Sequence, residues 1–371
     1  MRHVLIAVSV AAALGMSACG GKKAVVGVVL PETGEASAYG TSIKTGVKLA
    51  FDEAVKNRTA PAGLEVVYRD SGSAPPRALQ EAEALYKRGA TVIIGGATSP
   101  EAKGMIPLAE KHQRLVISPS ASEPGLAASS NLFFRTFPSD DVEGARAAEF
   151  LVKEKNVTSV LVLQEDITYS HGLLPVFRAA YESLGGKIVG MVSIGAEGWE
   201  KAFTEKLEKE KPQALYLCGY GEAILTAVVA VRDAKFEGVI CTTSAIGTVD
   251  LVWRGGKLVE GLYFPMARLD LTSKQEPLAS FVKDYRAANN DLAPDIYAAC
   301  GYDAALLTLL ILQKPIPETM TDLLQRAMGQ AEVRGVTGFL AFDAVGNIQQ
   351  RLRIHQIREG KVVDVDTAPV S

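Results

Sequence analysis

The chain reads as an α/β protein built from two doubly wound parallel sheets in tandem. Three observations predict this class. Short continuous apolar runs alternate with segments whose apolar residues recur at helical spacing. The runs are unbroken rather than apolar–polar alternating, as expected for strands covered by helices on both faces. The whole series then restarts near Asp140, and 371 residues at 48% apolar content suffice for two cores of ordinary size.

The first series opens with AVVGVVL as a strand, followed by a helix from about Gly40 to Lys56. Ile43, Val47, Ala50 and Ala54 form one apolar stripe along that helix. LEVVY is the second strand, and Pro75-Pro76 open a helix carrying Leu79, Ala82 and Leu85. TVII, a helix through Ile106 and Ala109, and LVIS complete this half. The second series runs through a helix passing Phe150, then SVLVL, a helix containing Val176 and Phe177, and KIVGMVSI. It continues with the amphipathic EKAFTEKLEKE, then ALYLC, a helix through Val228, and GVICT. Beyond GLYFP the pattern turns helical in FVKDYRAANN, YAACGYDAALLTLLILQ and MTDLLQRAM. The end, FLAFDAVGNIQQRLRIHQIREGKVVDV, reads as strands joined at the turn signals VGN and EGK.

The first residues carry a different message. Arg2 precedes an apolar run from Val4 to Leu14, too short for a spanning helix of ~20 residues but suited to a secretory leader. Small residues Ser17-Ala18 then precede Cys19, and the chain turns polar at Gly20-Gly21-Lys22-Lys23. This resembles the lipobox of bacterial lipoproteins, which are cut before the cysteine and lipidated on its sulfur. The reading gives a signal peptide at 1–18, lipid attachment at Cys19 and a linker at 19–23. The mature chain is then tethered to a membrane and held outside the cytoplasm, on the periplasmic side.

A net charge of −3 with 22% charged residues supplies no basic face for nucleic acid. The remaining cysteines, Cys218, Cys241 and Cys300, are odd in number and lack metal-ligand spacing, so buried thiols are expected rather than a metal site, with one Cys218–Cys241 bridge as the alternative in an oxidising compartment. No GxSxG, P-loop, GxGxxG or HExxH pattern occurs. His112 and His355 stand among charged residues and read as solvated. No enzyme activity and no cofactor are indicated.

What remains is the chemistry of the strand ends. LVIS runs into PSASEP and places Ser118, Ser120 and Ser122 two apart beyond a buried strand. With no base beside them these hydroxyls hold rather than attack. TVII gives GGATSP, SVLVL gives QEDITYSHG, ALYLC gives GYGE and GVICT gives TSAIG. In open parallel sheets ligands bind outside the carboxyl ends of strands, and here both halves offer hydroxyls, tyrosines and glycines there. Ser99 also begins a helix, where free N–H groups suit an anion such as a carboxylate.

At this level the chain resembles the leucine/isoleucine/valine-binding type of extracytoplasmic solute-binding protein of ABC importers, with a type I periplasmic-binding fold. The matching segments are VVGVVLPETGEASAYGTSIKTGVKLAFDEA, FFRTFPSD, YSHGLLPVFRAAYESLGGKIV, PQALYLCGYGEA and IYAACGYDAALL. The resemblance implies two lobes joined by three crossovers near Pro138, Pro265 and Phe339. Residues 24–138 with 265–338 form one lobe, and 139–264 with 339–371 the other. It implies a small-molecule ligand between them and a membrane permease as partner. Ser99 and Ser122 would donate to a carboxylate, and Ser120 and Ala121 would offer backbone groups. Tyr39, Tyr169 and Tyr220 would line the cleft, with Tyr297 at the far end.

One position departs from the family. Its amino-acid binders carry an acid after the strand equivalent to GVICT, where this chain has Ser244. Either Glu222, Glu165 or Asp166 replaces that carboxylate, or the ligand has no ammonium. A regulatory or interaction lipoprotein on the same fold is the alternative function, and it predicts a cleft blocked by bulky side chains.

Overall fold

The computed structural model describes residues 24–313 and 319–366. Residues 1–23, where the sequence predicts a leader, lipid attachment at Cys19 and a linker, lie outside the described residues. The first half supplies β1 (Val25–Leu30), α1 (Ser37–Lys56), β2 (Glu65–Asp70), α2 (Pro75–Lys87) and β3 (Ala90–Gly95). It ends with α3 (Ser99–His112), β4 (Leu115–Ser118) and β5 (Phe133–Arg135). The five strands form one parallel sheet in the order β2-β1-β3-β4-β5. β1, β3 and β4 are buried almost throughout, which is why they appear in sequence as unbroken apolar runs. β5, the short edge strand FFR, was not separable from the crossover by periodicity, because three residues are too few to show a period.

The second half comprises α4 (Asp140–Glu149), β6 (Ser159–Glu165), α5 (Thr168–Ser183), β7 (Lys187–Ile194) and α6 (Trp199–Glu210). Then follow β8 (Ala214–Cys218), α7 (Gly221–Asp233), β9 (Val239–Thr242), α8 (Val249–Gly255) and β10 (Tyr263–Ala267). The helices α9 (Leu278–Ala288), α10 (Ile296–Ile311) and α11 (Met320–Met328) precede the last strands, β11 (Leu352–Arg358) and β12 (Lys361–Asp364). The second sheet runs β12-β11-β10-β9-β8-β6-β7, parallel as far as β10 and antiparallel at β11 and β12.

Pro265 lies inside β10, so the chain leaves this sheet after Ala267. Its pairing with β9 is confined to Tyr263 opposite Cys241, as expected where proline removes a donor. The EGK signal is a two-residue hairpin: Glu359 and Gly360 both have positive φ, 50° and 66°, and Arg358 pairs with Lys361. That backbone is the turn whose twist matches antiparallel strands.

The chain crosses between the sheets after β5, after β10, and again before β11. The third crossover touches the first sheet, where Asn347 bridges Arg135. The stretch before Leu352 forms isolated bridges instead of a full strand. Asp343 captures the amides of Val345 and Asn347 there, so a local turn competes with the ladder. The late helices return to the first sheet, where α10 packs closely against α1. A Cβ on Gly46 would lie 1.8 Å from the Ala298 carbonyl oxygen, and one on Gly301 would lie 2.5 Å from that of Ile43. Glycine at both positions is what lets the two backbones approach.

Candidate functional site

The carboxyl ends of both sheets face one cleft, lined by Tyr39, Ala97, Ser120, Ser122, Phe137, Tyr169, Tyr220, Ser244, Ala245 and Tyr297. The first wall is the pair of loops after β3 and β4. The Ser118 hydroxyl donates to the Gly96 carbonyl (2.8 Å) and accepts from the Ala121 amide (3.0 Å). The Ser120 hydroxyl donates to the Ala97 carbonyl (2.6 Å). Arg135, fully buried behind this loop, donates to the carbonyls of Glu123 (3.0 Å) and Ala121 (3.4 Å) and to Asn347 Oδ1 (2.7 Å). The serines therefore fix the loop, and Ser122 is left facing the cleft.

Ser99 and Ala121 sit just behind the lining. Thr98, not Ser99, caps α3, in a capping box with Glu101. The Ser99 amide donates to the Tyr220 hydroxyl (3.3 Å), and the Ser99 hydroxyl accepts from the Glu123 amide (3.3 Å). A hydroxyl from the opposite wall thus occupies the positive end of the α3 dipole.

The second wall comes from the starts of α5 and α7 and the turn after β9. Tyr169 stacks on Tyr220 at 5.1 Å, and Tyr220 meets Tyr39 at 6.1 Å. Tyr39 meets Tyr297 at 4.9 Å, and Tyr297 stacks on Phe137 at 5.4 Å. Five rings run in a chain from one wall to the other. Tyr39, on α1, bridges the walls directly: its hydroxyl accepts from the Gly221 amide (2.7 Å) and donates to the Ala245 carbonyl (2.8 Å). Tyr297 donates to the Ser244 carbonyl (3.1 Å). Burial raises the pKa of Tyr39, Tyr169, Tyr220 and Tyr297, so each acts as a neutral hydroxyl. The space left between the walls is about 20 Å³, roughly the room one water needs. Small residues on the serine loops do not keep the cleft open, because the rings opposite reach across.

The carboxylate near Ser244 is none of the three expected. Glu222 pairs with Arg254, Glu165 accepts from the Tyr220 amide (2.8 Å), and Asp166 is exposed beside His171 (2.6 Å). The partner is Glu143 on α4: its Oε1 accepts from the Ser244 amide and its Oε2 from the Ser244 hydroxyl, both at 2.7 Å. Burial pushes the Glu143 carboxyl up to about 7, partly opposed by these two bonds. Asp140, one turn earlier on the same helix, is fully buried, and its carboxyl is held well above the usual carboxylate range by burial and then by the Glu143 charge. The Ser122 hydroxyl leans toward Asp140 and favours its charged form without closing a bond of normal geometry.

Phe137, Ala97, Ala245 and the two acids were not named from sequence. Asp140, Glu143, Gly144 and Ala147 occupy the buried side of α4, so carboxylates standing in an otherwise apolar stripe were the available signal. His355 is buried on β11, not solvated, and burial lowers its pKa. His112 lies against Glu83 at 2.8 Å. Cys218, Cys241 and Cys300 are buried free thiols. Among the described residues no cluster of metal-ligating side chains occurs, and no helix is long and apolar enough to cross a membrane.

Residues 23–361 match the family model of periplasmic binding proteins. The leucine-, isoleucine-, valine-, threonine- and alanine-binding protein of Pseudomonas aeruginosa is 25% identical over 326 residues, 86% of this chain and 85% of the relative. The Leu/Ile/Val-binding protein of Escherichia coli K12 is 25% identical, over 73% of this chain and 77% of its own. Among solved structures, the branched-chain amino acid transporter substrate-binding protein LivJ of Streptococcus pneumoniae, in complex with isoleucine, superposes with a TM-score of 0.84. It shares 23% identity over 92% of this chain and 98% of that one. A solute-binding protein of an ABC transporter from R. palustris, in complex with benzoate, superposes at 0.81 with 19% identity, over 93% and 96% of the two chains. Two doubly wound lobes, three crossovers and a match along nearly the whole described chain lead to one conclusion: this protein belongs to the periplasmic binding protein family, with the type I fold.

Proposed function

We propose that the chain is the substrate-binding component of an ABC importer that captures a small carboxylate-bearing solute, an amino acid or a related organic acid or amide. The observation that carries the reading is the cleft itself, where the start of α3 and Ser122 face Tyr169, Tyr220 and Ser244 across the two lobes. Among the described residues we assign 24–138, 268–313 and 319–338 to the first lobe and 139–267 and 339–366 to the second, moving the boundary from Pro265 to the end of β10. Ligand entry requires the rings to part. The solute's carboxylate then replaces the Tyr220 hydroxyl at the Ser99 amide and accepts from the Ser99 and Ser122 hydroxyls, and ligand contacts unique to the closed form drive closure. The names of the relatives support an amino-acid or aromatic-acid solute. A membrane permease is the partner, and a lipid on Cys19 keeps the protein beside it, outside the cytoplasm.

Calorimetric titration of Ser122→Ala and Ser99→Ala with the solute found by screening tests the grip. Each charge-assisted bond contributes about 1.5–3 kcal/mol, so affinity should fall by that amount. Parent-like affinity in both variants would disprove the assignment.

The bridge from Tyr39 to Gly221 and Ala245 favours one other reading, an interaction lipoprotein whose cleft stays shut. A thermal-shift screen of amino acids, short fatty acids, aromatic acids and amides separates the two. Stabilisation by any of them excludes a permanently closed cleft.

A further inference from the structure

Beneath the second wall stand two buried carboxyls that no cationic side chain among the described residues hydrogen-bonds. Asp140 and Glu143 stand one turn apart on α4, both buried. Arg135 attracts Asp140 from a distance, but its recorded hydrogen bonds go to Asn347, Ala121 and Glu123. Arg146, next along α4, is committed to Glu154 (2.7 Å) and Asp366 (2.9 Å). Tyr169, Tyr216, Tyr297, Cys218 and Cys241 lie within reach of the Glu143 charge and carry no positive charge.

Two independent features connect these acids to the cleft. Ser244, which lines it, is held by Glu143 through both its amide and its hydroxyl. Asp140 has no hydrogen-bond partner on either carboxylate oxygen and lies against Ser122, which lines the cleft from the other side. A buried carboxylate without a cation is costly, and a ligand that supplies the cation removes that cost.

We propose that Glu143, presented through Ser244 and backed by Asp140, receives a positively charged group of the solute, which makes the solute a zwitterion such as an α-amino acid rather than a plain carboxylate. The inference rests on the solute-capture reading above. It assigns the cation-recognising carboxylate to α4 instead of to the turn after β9. The ligand's carboxylate lies toward Ser99 and Ser122, and its ammonium toward Ser244. Asp140 acts as a positioning residue: burial and the Glu143 charge favour its protonated form, so the pair presents its negative charge on Glu143, beside Ser244.

The raised pKa of Glu143 supplies a second readout. An ammonium beside it favours the charged carboxylate, so binding below about pH 7 must release a proton. Affinity for an amino acid should therefore tighten as pH rises from 5 to 8, by up to about tenfold per unit below the titration. The ligand ammonium stays protonated through this range.

The test uses the mature chain, the common amino acids and their deaminated acids, leucine and 4-methylpentanoate among them, with benzoate added. The expected result is binding of at least one amino acid, and binding of its deaminated partner weakened at least tenfold. Glu143→Gln should lose that preference and the pH dependence while keeping its circular dichroism. Glu143→Gln combined with Ser244→Glu should restore the preference, which a merely structural role for Glu143 would not produce. If a plain acid binds and amino acids do not, solute capture stands and the Glu143 assignment is overturned. Parent-like discrimination and pH profile in Glu143→Gln overturn it as well. If none of these compounds binds the parent chain, the solute-capture reading falls and this inference falls with it.

Discussion

On the first wall of the cleft Ser118 and Ser120 donate to main-chain carbonyls of the neighbouring loop, and Arg135 clamps the same segment from behind. The second wall presents stacked tyrosines at its surface and two buried carboxyls beneath it. The first wall is stiff, is backed by the Arg135 guanidinium and ends in a helix N-terminus, so it suits an anion. The second is acidic in its interior and faced with rings that lie against the opposite lobe, so it suits a cation and a closing movement. Under the capture reading proposed above, the difference orients a zwitterion across the gap and assigns the shift to the second wall.

The largest expected effect would break the stiff wall. Arg135→Ala removes three hydrogen bonds from a fully buried site, together with the positive charge that attracts Asp140 from a distance. A loss of about 3–5 kcal/mol in urea unfolding is expected. A loss below 1 kcal/mol on the same measurement would show that the serine loop is held by something else.

Closure comes next. Tyr39→Phe keeps the ring but frees the Gly221 amide and the Ala245 carbonyl, groups that water satisfies once the lobes part. The closed form should weaken by about 1–3 kcal/mol, and solution scattering without added solute should record a larger radius of gyration. An unchanged radius would place the latch elsewhere in the ring chain.

A smaller effect separates the walls by pH. A carboxyl raised in the folded state binds its proton more tightly there than in the unfolded chain. Its stabilising contribution is thus complete below about pH 4 and disappears as pH rises through about 7. Asp303, raised to about 6 by burial, acts in the same direction in the first lobe. Only the difference between parent and Glu143→Gln isolates the second wall. That difference in melting temperature should favour the variant by a few degrees more at pH 8 than at pH 5. Parallel melting curves across that range would mean that Glu143 is ionised at neither end or both.

The smallest effect is on the serine wall. Ser120→Ala loses one neutral hydrogen bond to Ala97 and should cost about 0.5–1.5 kcal/mol of stability. A larger cost would mean that Ser120 does more than pin its loop.

Much of this molecule was legible in its sequence. β1, β3, β4, β8 and β9 fall on the runs that burial demands, and the apolar stripe of α1 marks its inward face. Such runs can be seen because the hydration cost of each residue is local and repeats with the period of the element. The seven residues expected to line the cleft that do line it stand at strand ends or helix starts, positions that follow from the same periodicity. Tyr39 and Tyr297 needed the family resemblance as well.

The electrostatics of the site was decided by tertiary packing alone. Glu143 meets Ser244 across 101 residues, and Tyr39 meets Ala245 across 206. No local pattern records such pairings. An acid in a helix reads as solvated until the neighbours that bury it are known, and a tyrosine at a helix start reads as half-buried until the facing lobe arrives. The sequence by itself determined which elements form and which strand ends carry hydroxyls and rings, because those depend on near neighbours. Which of the chain's carboxylates stands beneath the cleft, and how far the rings close it, depended on helix α4 packing under the turn after β9, a contact that exists only once both are folded.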